Sequence, residues 1–512
     1  MKLTVLLAVF QCFELAYGVV HIIGKESLCT LESIQNTLKQ ATPSDVVTFG
    51  CSEEVIFISE TIIIDKSITI DGAGKNIISK LAINKALFNV SLSSIPAVFQ
   101  NIHIKNMTIT IATENSTAIF LRNQKANLNV SDVHFCTIDA DYIAIFTKYC
   151  GNVMITRSVF SDSNIVIICE YSGTFSFVKN HIVSHLKRQG TVFGSPAPFM
   201  DYTNTSINFL ENKIENGVCG RKTKDFFHLQ CAKTINFFGN IIKNLQGGSY
   251  TIILALSRRV NVKRNFIRNI KGFDANFFII TRRSAGEIYV ENNVLKENDG
   301  AALLLVYPCD NFHFISNEVF DNRCRYSDNV VTASGVKFFE FKNNTFVNNT
   351  FFSAGAGVID VTRIKRMDLT GNIFVKNGSP KAGVLFAGYK VEQFTSAEDF
   401  FGGNTNIQQL FSTSDSNVLM KSSVFVCNNG TLGRGTLKIE KSIFAAQSTP
   451  CNSSVVSNSV FMTFTNRSIM GKCVNGNAIR NFTKGISDIC LHFTNYRKKS
   501  DLSCISSVFK KL

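Results

Sequence analysis

Apolar and polar residues alternate in short runs along most of this chain, and from about Ile207 to Asn377 the alternation becomes a repeated row. INFLENKIENG, INFFGNIIKNL, VNVKRNFIRNI, IYVENNVLKEN, FHFISNEVFDN, FEFKNNTFVNN and MDLTGNIFVKNG share one layout. Apolar residues stand five and three positions before an Asn, and another stands two positions after it. The Asn are Asn212, Asn240, Asn265, Asn293, Asn317, Asn344 and Asn372, at intervals of 24–28 residues. Period-two alternation marks a strand with one buried face. Each row therefore reads as two short strands joined at a bend, where Asn is well tolerated. Continuous apolar runs supply a third strand per repeat: TIILAL (251–256), FFIIT (277–281), AALLLV (301–306), VVTAS (330–334), GVIDV (357–361) and GVLFA (383–387). An α-solenoid of this period would space its apolar residues three to four apart and would be poorer in Phe, Val and Ile. The predicted fold is all-β, a right-handed parallel β-helix with three-strand rungs of about 25–28 residues.

Stacked strands lie about 4.8 Å apart, so amides at equivalent positions are predicted to bond from rung to rung as a ladder. Backwards, Asn180, Ser158, Val133 and Met107 fall on the ladder position, and forwards Ser423 and Ser442 do. The interval from Asn372 to Ser423 fits two rungs, the middle one irregular.

The ends differ from the middle. Met1–Gly18 has one Lys, an apolar core and small residues at its end, as a cleaved secretory signal does. Residues 19–75 are predicted to form an N-terminal cap and first strands, with Leu31, Ile34 and Leu38 on one helical face. Residues 76–445 form the β-helix, and 446–512 form C-terminal rungs and a cap containing Cys451, Cys473, Cys490 and Cys504. Of fifteen Cys, removal of Cys12 with the signal leaves an even fourteen, which suits an exported, disulfide-bonded chain. Cys29 is expected to pair with Cys51 and close the N-terminal cap; the other pairings stay open.

The short helix, DVVTF and ITIDGAG resemble the opening of secreted pectin-lyase-like repeat proteins, including the polymorphic outer membrane protein family and its protist relatives. Phe266–Asn269, Phe346–Asn349, Phe374–Asn377 and Phe425–Asn428 match that family's Phe-x-x-Asn element, and Gly355–Ile359 and Ala382–Leu385 approximate its Gly-Gly-Ala-Ile element. The likeness covers most of residues 30–445. It implies the β-helix and a surface role; the family's C-terminal membrane barrel is absent from this sequence.

Chemistry is sparse. Hydrolases of acidic polysaccharides pair carboxylates, and galacturonan hydrolases of this fold type carry Asp-Asp, Gly-His-Gly and Arg-Ile-Lys. Only Arg363-Ile364-Lys365 occurs here. No nucleophile elbow, phosphate loop, dinucleotide fingerprint or zinc spacing is present, so no catalytic residue, metal or cofactor is assigned. The formal charge of +15 changes the picture more, because it suits an anionic partner. Seven residues before the ladder Asn stand Lys233, Arg258, Lys337 and Lys365, and Arg259, Arg282, Arg283, Arg363 and Arg366 fall in the same bend. Together they are the expected anionic-ligand strip. Gly286 and Asp310 interrupt it. Sequons are found at Asn89, Asn106, Asn115, Asn129, Asn204, Asn343, Asn348, Asn377, Asn429, Asn452, Asn466 and Asn481. The reading is a secreted, non-enzymatic β-helix glycoprotein of a surface or wall, or an adhesion component, that binds acidic polysaccharide or cell-surface glycan and not nucleic acid. The alternative is a polysaccharide lyase or glycoside hydrolase. After signal removal no membrane span is expected.

Overall fold

The computed structural model describes residues 18–24, 28–91, 100–122, 126–138, 142–161, 165–170, 173–183, 193–194, 206–218, 225–230, 232–247, 250–272, 275–281, 286–325, 329–352, 357–428, 431–445, 454–457, 459–463 and 478–481. The signal segment before Gly18, the C-terminal cysteines and residues Arg282 and Arg283 lie outside them. The chain divides into two compact units, Met1–Gly220 and Arg221–Leu512.

Both units are parallel β-helix. In the first, strand Gln100–Ile111 lies beside Ala126–Thr137 in parallel register, Ile102 against Leu128 and Ile109 against Phe135. Ser116–Arg122 pairs with Tyr142–Lys148 in the same sense. Bends come at residues with left-handed backbone, such as Asn106 (φ 55°) and Asp132 (φ 57°), which turn one strand into the next without interrupting the stack. The inward residues repeat from rung to rung, so identical side chains stack: Phe135 on Phe160 at 4.9 Å and Phe177 on Phe209 at 5.1 Å between ring centroids.

The N-terminal end of this unit is capped as expected. Helix Leu31–Gln40 buries Ile34 and Leu38, and the Thr30 hydroxyl accepts from Ser33 N at 3.1 Å. Lys66 Nζ donates to the carbonyls of Leu38 and Ala41, both at 3.0 Å, where the helix leaves acceptors unpaired. Cys29 and Cys51 form a disulfide. Asp45 accepts from Thr42 and Val19 N–H groups and from His21, and the Thr42 N–H above all holds its carboxyl well below the usual range.

In the second unit the same three faces recur. The second-face strands Thr234–Phe238, Arg259–Lys263, Glu287–Glu291, Asn311–Ile315 and Phe338–Lys342 stack in parallel, with Ile235, Val260, Ile288, Phe312 and Phe339 inward in one file. The ladder runs as the spacing requires. Asn317 Oδ1 accepts from Asn293 N (3.0 Å) and Nδ2 (2.9 Å), while its own Nδ2 donates to Val290 O (2.7 Å) and Asn344 Oδ1 (3.1 Å). Asn240, Asn265, Asn293, Asn317, Asn344 and Asn372 join the file in this unit. In the first unit Val133 N donates to Ser158, Ser158 N to Asn180 and Asn180 N to Asn212.

Two features went unread in the sequence. The irregular middle rung places Asp399 on the ladder, where its Oδ1 accepts from Asn372 N and Nδ2. A second ladder also exists: Asn298, Asn322, Asn349, Asn377, Asn404 and Asn428 bond amide to amide at 2.7–3.3 Å. This second file explains three of the four Phe-x-x-Asn matches, at Phe346, Phe374 and Phe425, in which an inward Phe is followed three residues later by a buried amide; Phe266 and Asn269 are both partly exposed and stand outside it. It also corrects the sequon assignment at Asn377, whose side chain is fully buried and hydrogen-bonded on both sides, leaving a glycan no access in the folded chain.

Asn317→Leu removes the acceptor for Asn293 and the donor to Val290 O, so we expect a loss of about 1–3 kcal/mol in denaturant unfolding, against little change for Asn343→Asp on the surface, where the left-handed backbone tolerates either residue. Asp399 gives the opposite sign. Burial pushes its carboxyl up to about 6 against hydrogen bonds from Ser396 and Asn372. The folded chain thus holds this proton more tightly than the unfolded chain. Its contribution is greatest below about pH 4 and is lost as pH rises through about 6, on the order of 3 kcal/mol in total. Asp399→Asn should unfold at higher temperature than the parent at pH 7 and converge with it at pH 4; equal differences at both pH values would contradict this.

Candidate functional site

The strand register of the second unit decides what the basic residues can do. Lys233 and Arg258 are neighbours in the bend, since Arg259 N donates to Lys233 O and Glu287 N to Arg258 O. The file then passes through Gly286 and Asp310 before reaching Lys337 and Lys365. Among the described residues the cations therefore form two groups and not one strip. Several are also answered by carboxylates: Arg259 by Glu287 at 3.1 Å, Lys337 by Asp310 at 2.6 Å and Arg366 by Asp368 at 2.7 Å. The Asp368 hydrogen bond raises the Arg366 guanidinium, and the Tyr289 hydroxyl raises Arg259.

The group around Lys337 builds a concave site. Gly335, Val336, Lys337, Arg363, Ile364, Lys365, Lys390 and Glu392 line a cleft of about 470 Å³. Its form follows from the bend. Gly335, Arg363 and Lys390 occupy equivalent rung positions with left-handed backbone, φ 70°, 56° and 55°. At the next position Val336, Ile364 and Val391 turn inward and are buried. The third position carries Lys337, Lys365 and Glu392 outward. Gly335 leaves the floor open, and a Cβ there would come within 3.1 Å of Pro308. Four cations face one carboxylate in this lining. Among the described residues no acidic partner is found for Arg363, Lys365 or Lys390. Arg-Ile-Lys, a weak motif in the sequence, thus becomes two cations in the cleft and one core residue between them.

Lys390 escaped the sequence reading because the rung containing it was irregular there. With Asp399 on the ladder, Lys390 stands nine residues before it, as Arg363 stands nine before Asn372, and that offset could have found it. Cys309, buried beside Asp310, has its thiol pushed up to about 12, chiefly by burial, and offers no nucleophile.

A second constellation also went unread. Tyr289, His313, Glu340 and Asp368 each stand four residues before a ladder Asn and form one outward file. His313 Nδ1 meets Glu340 Oε2 at 2.7 Å, its ring stacks on Tyr289 at 4.6 Å, and Asp368 accepts from Arg366 and Thr395. Its polar groups are already paired, His313 with Glu340, the Tyr289 hydroxyl with Arg259, and Asp368 with Arg366 and Thr395.

Among the described sequons, Asn106, Asn115, Asn343 and Asn348 are exposed at left-handed bends, whereas Asn89 and Asn129 are half-buried. Asn204, Asn429, Asn452, Asn466 and the side chain of Asn481 lie outside the described residues. No group of three or more His, Cys, Asp or Glu suited to a metal ion is present among the described residues, and no helix there is long and apolar enough to cross a membrane.

No family model matches the chain, and no curated protein matches it. Solved structures do. The mannuronan C-5 epimerase AlgE6 A-module of Azotobacter vinelandii is 12% identical, with 84% of this chain and 94% of that chain covered at a TM-score of 0.32. A tailspike protein of E. coli bacteriophage HK620, solved with a pentasaccharide, is 10% identical over 91% of this chain and 76% of its own, with a TM-score of 0.28. The DFA-IIIase of Arthrobacter chlorophenolicus, solved without its lid, is 10% identical over 79% and 96%, with a TM-score of 0.22.

Proposed function

We propose that this chain is a secreted, non-enzymatic β-helix glycoprotein of a surface or wall that binds acidic glycans through the cleft at Lys337, Arg363, Lys365 and Lys390. The observation that carries the reading is the convergence of four cations on one concave bend, three of them without a carboxylate among the described residues. Like charges a rung apart repel by roughly 1 kcal/mol even in water, and a bound polyanion relieves that repulsion. Export is supported by the apolar Met1–Gly18 segment and by the Cys29–Cys51 disulfide. The exposed bend sequons Asn106, Asn115, Asn343 and Asn348 would carry the glycans. The first basic group, Lys233, Arg258 and Arg259, adds a weaker subsidiary surface.

A second reading, a lyase or hydrolase, has one observation in its favour: the outward file of Tyr289, His313, Glu340 and Asp368 holds an imidazole fixed by a carboxylate.

Retention on a heparin-type column tests the first reading. Replacing Arg363, Lys365 and Lys390 together with Ser should lower the eluting salt concentration clearly, because exposed charges act within a screening length of about 10 Å at 0.1 M salt. Replacing Arg258 and Arg259 should lower it less. Asp310→Asn frees Lys337 and should raise retention slightly. Elution of the triple variant with the parent would defeat the proposal. Incubation with polygalacturonate, alginate and heparin-type chains should give neither unsaturated product nor new reducing ends; turnover abolished by His313→Ala would establish the second reading instead.

A further inference from the structure

A basic cleft by itself fits any polyanion, whether phosphate, sulfate or carboxylate carries the charge. The wall beside it is more selective. Immediately before the bend runs an outward file of residues in which Ser334, Thr362, Tyr389 and Ser414 are strand partners in turn. Tyr307 extends the file backwards, because it follows Val306, the partner of Ala333. Tyr307 and Tyr389 are both 41% exposed, unusually open for large rings in this unit. Between them stand two hydroxyls, those of Ser334 and Thr362. Tyr389 is followed by Lys390, whose Nζ lies 5.0 Å from the ring centroid, so ring and cation are presented together.

We propose that Tyr307 and Tyr389 are stacking platforms for pyranose rings, and that the ligand of the cleft is an acidic oligosaccharide lying parallel to the stack of rungs. The inference rests on the reading of the cleft as an anion site and names the chemistry that the cations alone leave open. Tyr307 and Tyr389 are three rungs apart, about 14 Å at strand spacing. A pyranose spans about 5 Å between its glycosidic oxygens, close to the spacing of stacked rungs. A ring held on each tyrosine therefore leaves the intervening sugars over Ser334 and Thr362, whose hydroxyls both donate and accept. The anionic substituents on the other edge of the chain meet Lys337, Arg363, Lys365 and Lys390. Tyrosine suits the task because one face is apolar and its rim is polar. A single-stranded nucleic acid would also stack on rings, but it makes little use of a file of hydroxyls.

The test compares two double variants of the full chain, Tyr307→Ala with Tyr389→Ala and Lys365→Ser with Lys390→Ser, against three probes by calorimetry at fixed salt. The probes are a size-defined heparin-type oligosaccharide, inorganic polyphosphate of similar charge and an oligothymidylate. The tyrosine pair should weaken oligosaccharide binding by about tenfold, the scale of lost ring stacking, and leave polyphosphate within about twofold. The lysine pair should weaken both. Tyr307→Phe with Tyr389→Phe should keep oligosaccharide affinity, and a melting temperature close to the parent's excludes misfolding of the alanine pair. If only the lysine pair matters, the ring inference falls and the anion site stands. An unaffected lysine pair removes both. Loss of polyphosphate binding by the tyrosine pair, or a preference of the parent for oligothymidylate, overturns the inference as well.

Discussion

The buried amides of the two ladders find their partners in a neighbouring turn. A side-chain amide taken from water without a hydrogen bond costs more than most contacts return. The Asn317 amide therefore locks rung to rung as firmly as the backbone does, with both its oxygen and its nitrogen used. Two such files run through the second unit, one through Asn317 and one through Asn349. Once both are satisfied, the register has no freedom to slip, since a one-residue shift would orphan every amide and turn Phe312, Phe339 and their equivalents outward. Asp399 is the exception, a carboxyl in an amide's place, and its burial makes the acid form the better fit.

A fixed register frees the outward positions. Whatever stands at one place in a rung becomes part of a file, so chemistry on this surface is assembled from residues 24–28 apart in sequence. Files of charge largely neutralise themselves, as Arg259 with Glu287 and Lys263 with Glu291 show. The bend at Gly335, Arg363 and Lys390 departs from that rule. Left-handed backbone there throws side chains outward on both sides of a buried residue, and the missing side chain of Gly335 opens a hollow between cations. Concavity and unbalanced charge coincide at that bend.

Much of the fold was legible because its period is simple. The row that ends in Asn372, with Met367 and Leu369 before it and Phe374 after it, specifies two strands and a bend without any tertiary information, and the structure places Met367, Leu369 and Phe374 inward. The pairing of Cys29 with Cys51 was legible from their place around the cap helix. The second ladder was missed because Asn377 was read as a sequon, and a single position cannot show that its amide faces inward. Lys337, Arg363 and Lys365 of the cleft were legible from their shared place in the bend, but Lys390 was not, because its rung lacked an Asn to align it, and linear spacing does not show the hollow at Gly335. The file of His313 and Glu340 was legible only as a shared offset of four residues before a ladder Asn, and because its residue types differ from rung to rung the offset carries no motif.

The central claim is that the bend at Arg363, and not the outward file at His313, is where a ligand sits. A crystal structure of the protein with a heparin-type or uronic-acid oligosaccharide tests it most directly. The account predicts sulfate or carboxylate groups within hydrogen-bonding reach of Arg363, Lys365 and Lys390, with the sugar chain parallel to the stack of rungs. An oligosaccharide bound instead over Tyr289, His313 and Glu340, with the bend empty, would contradict it.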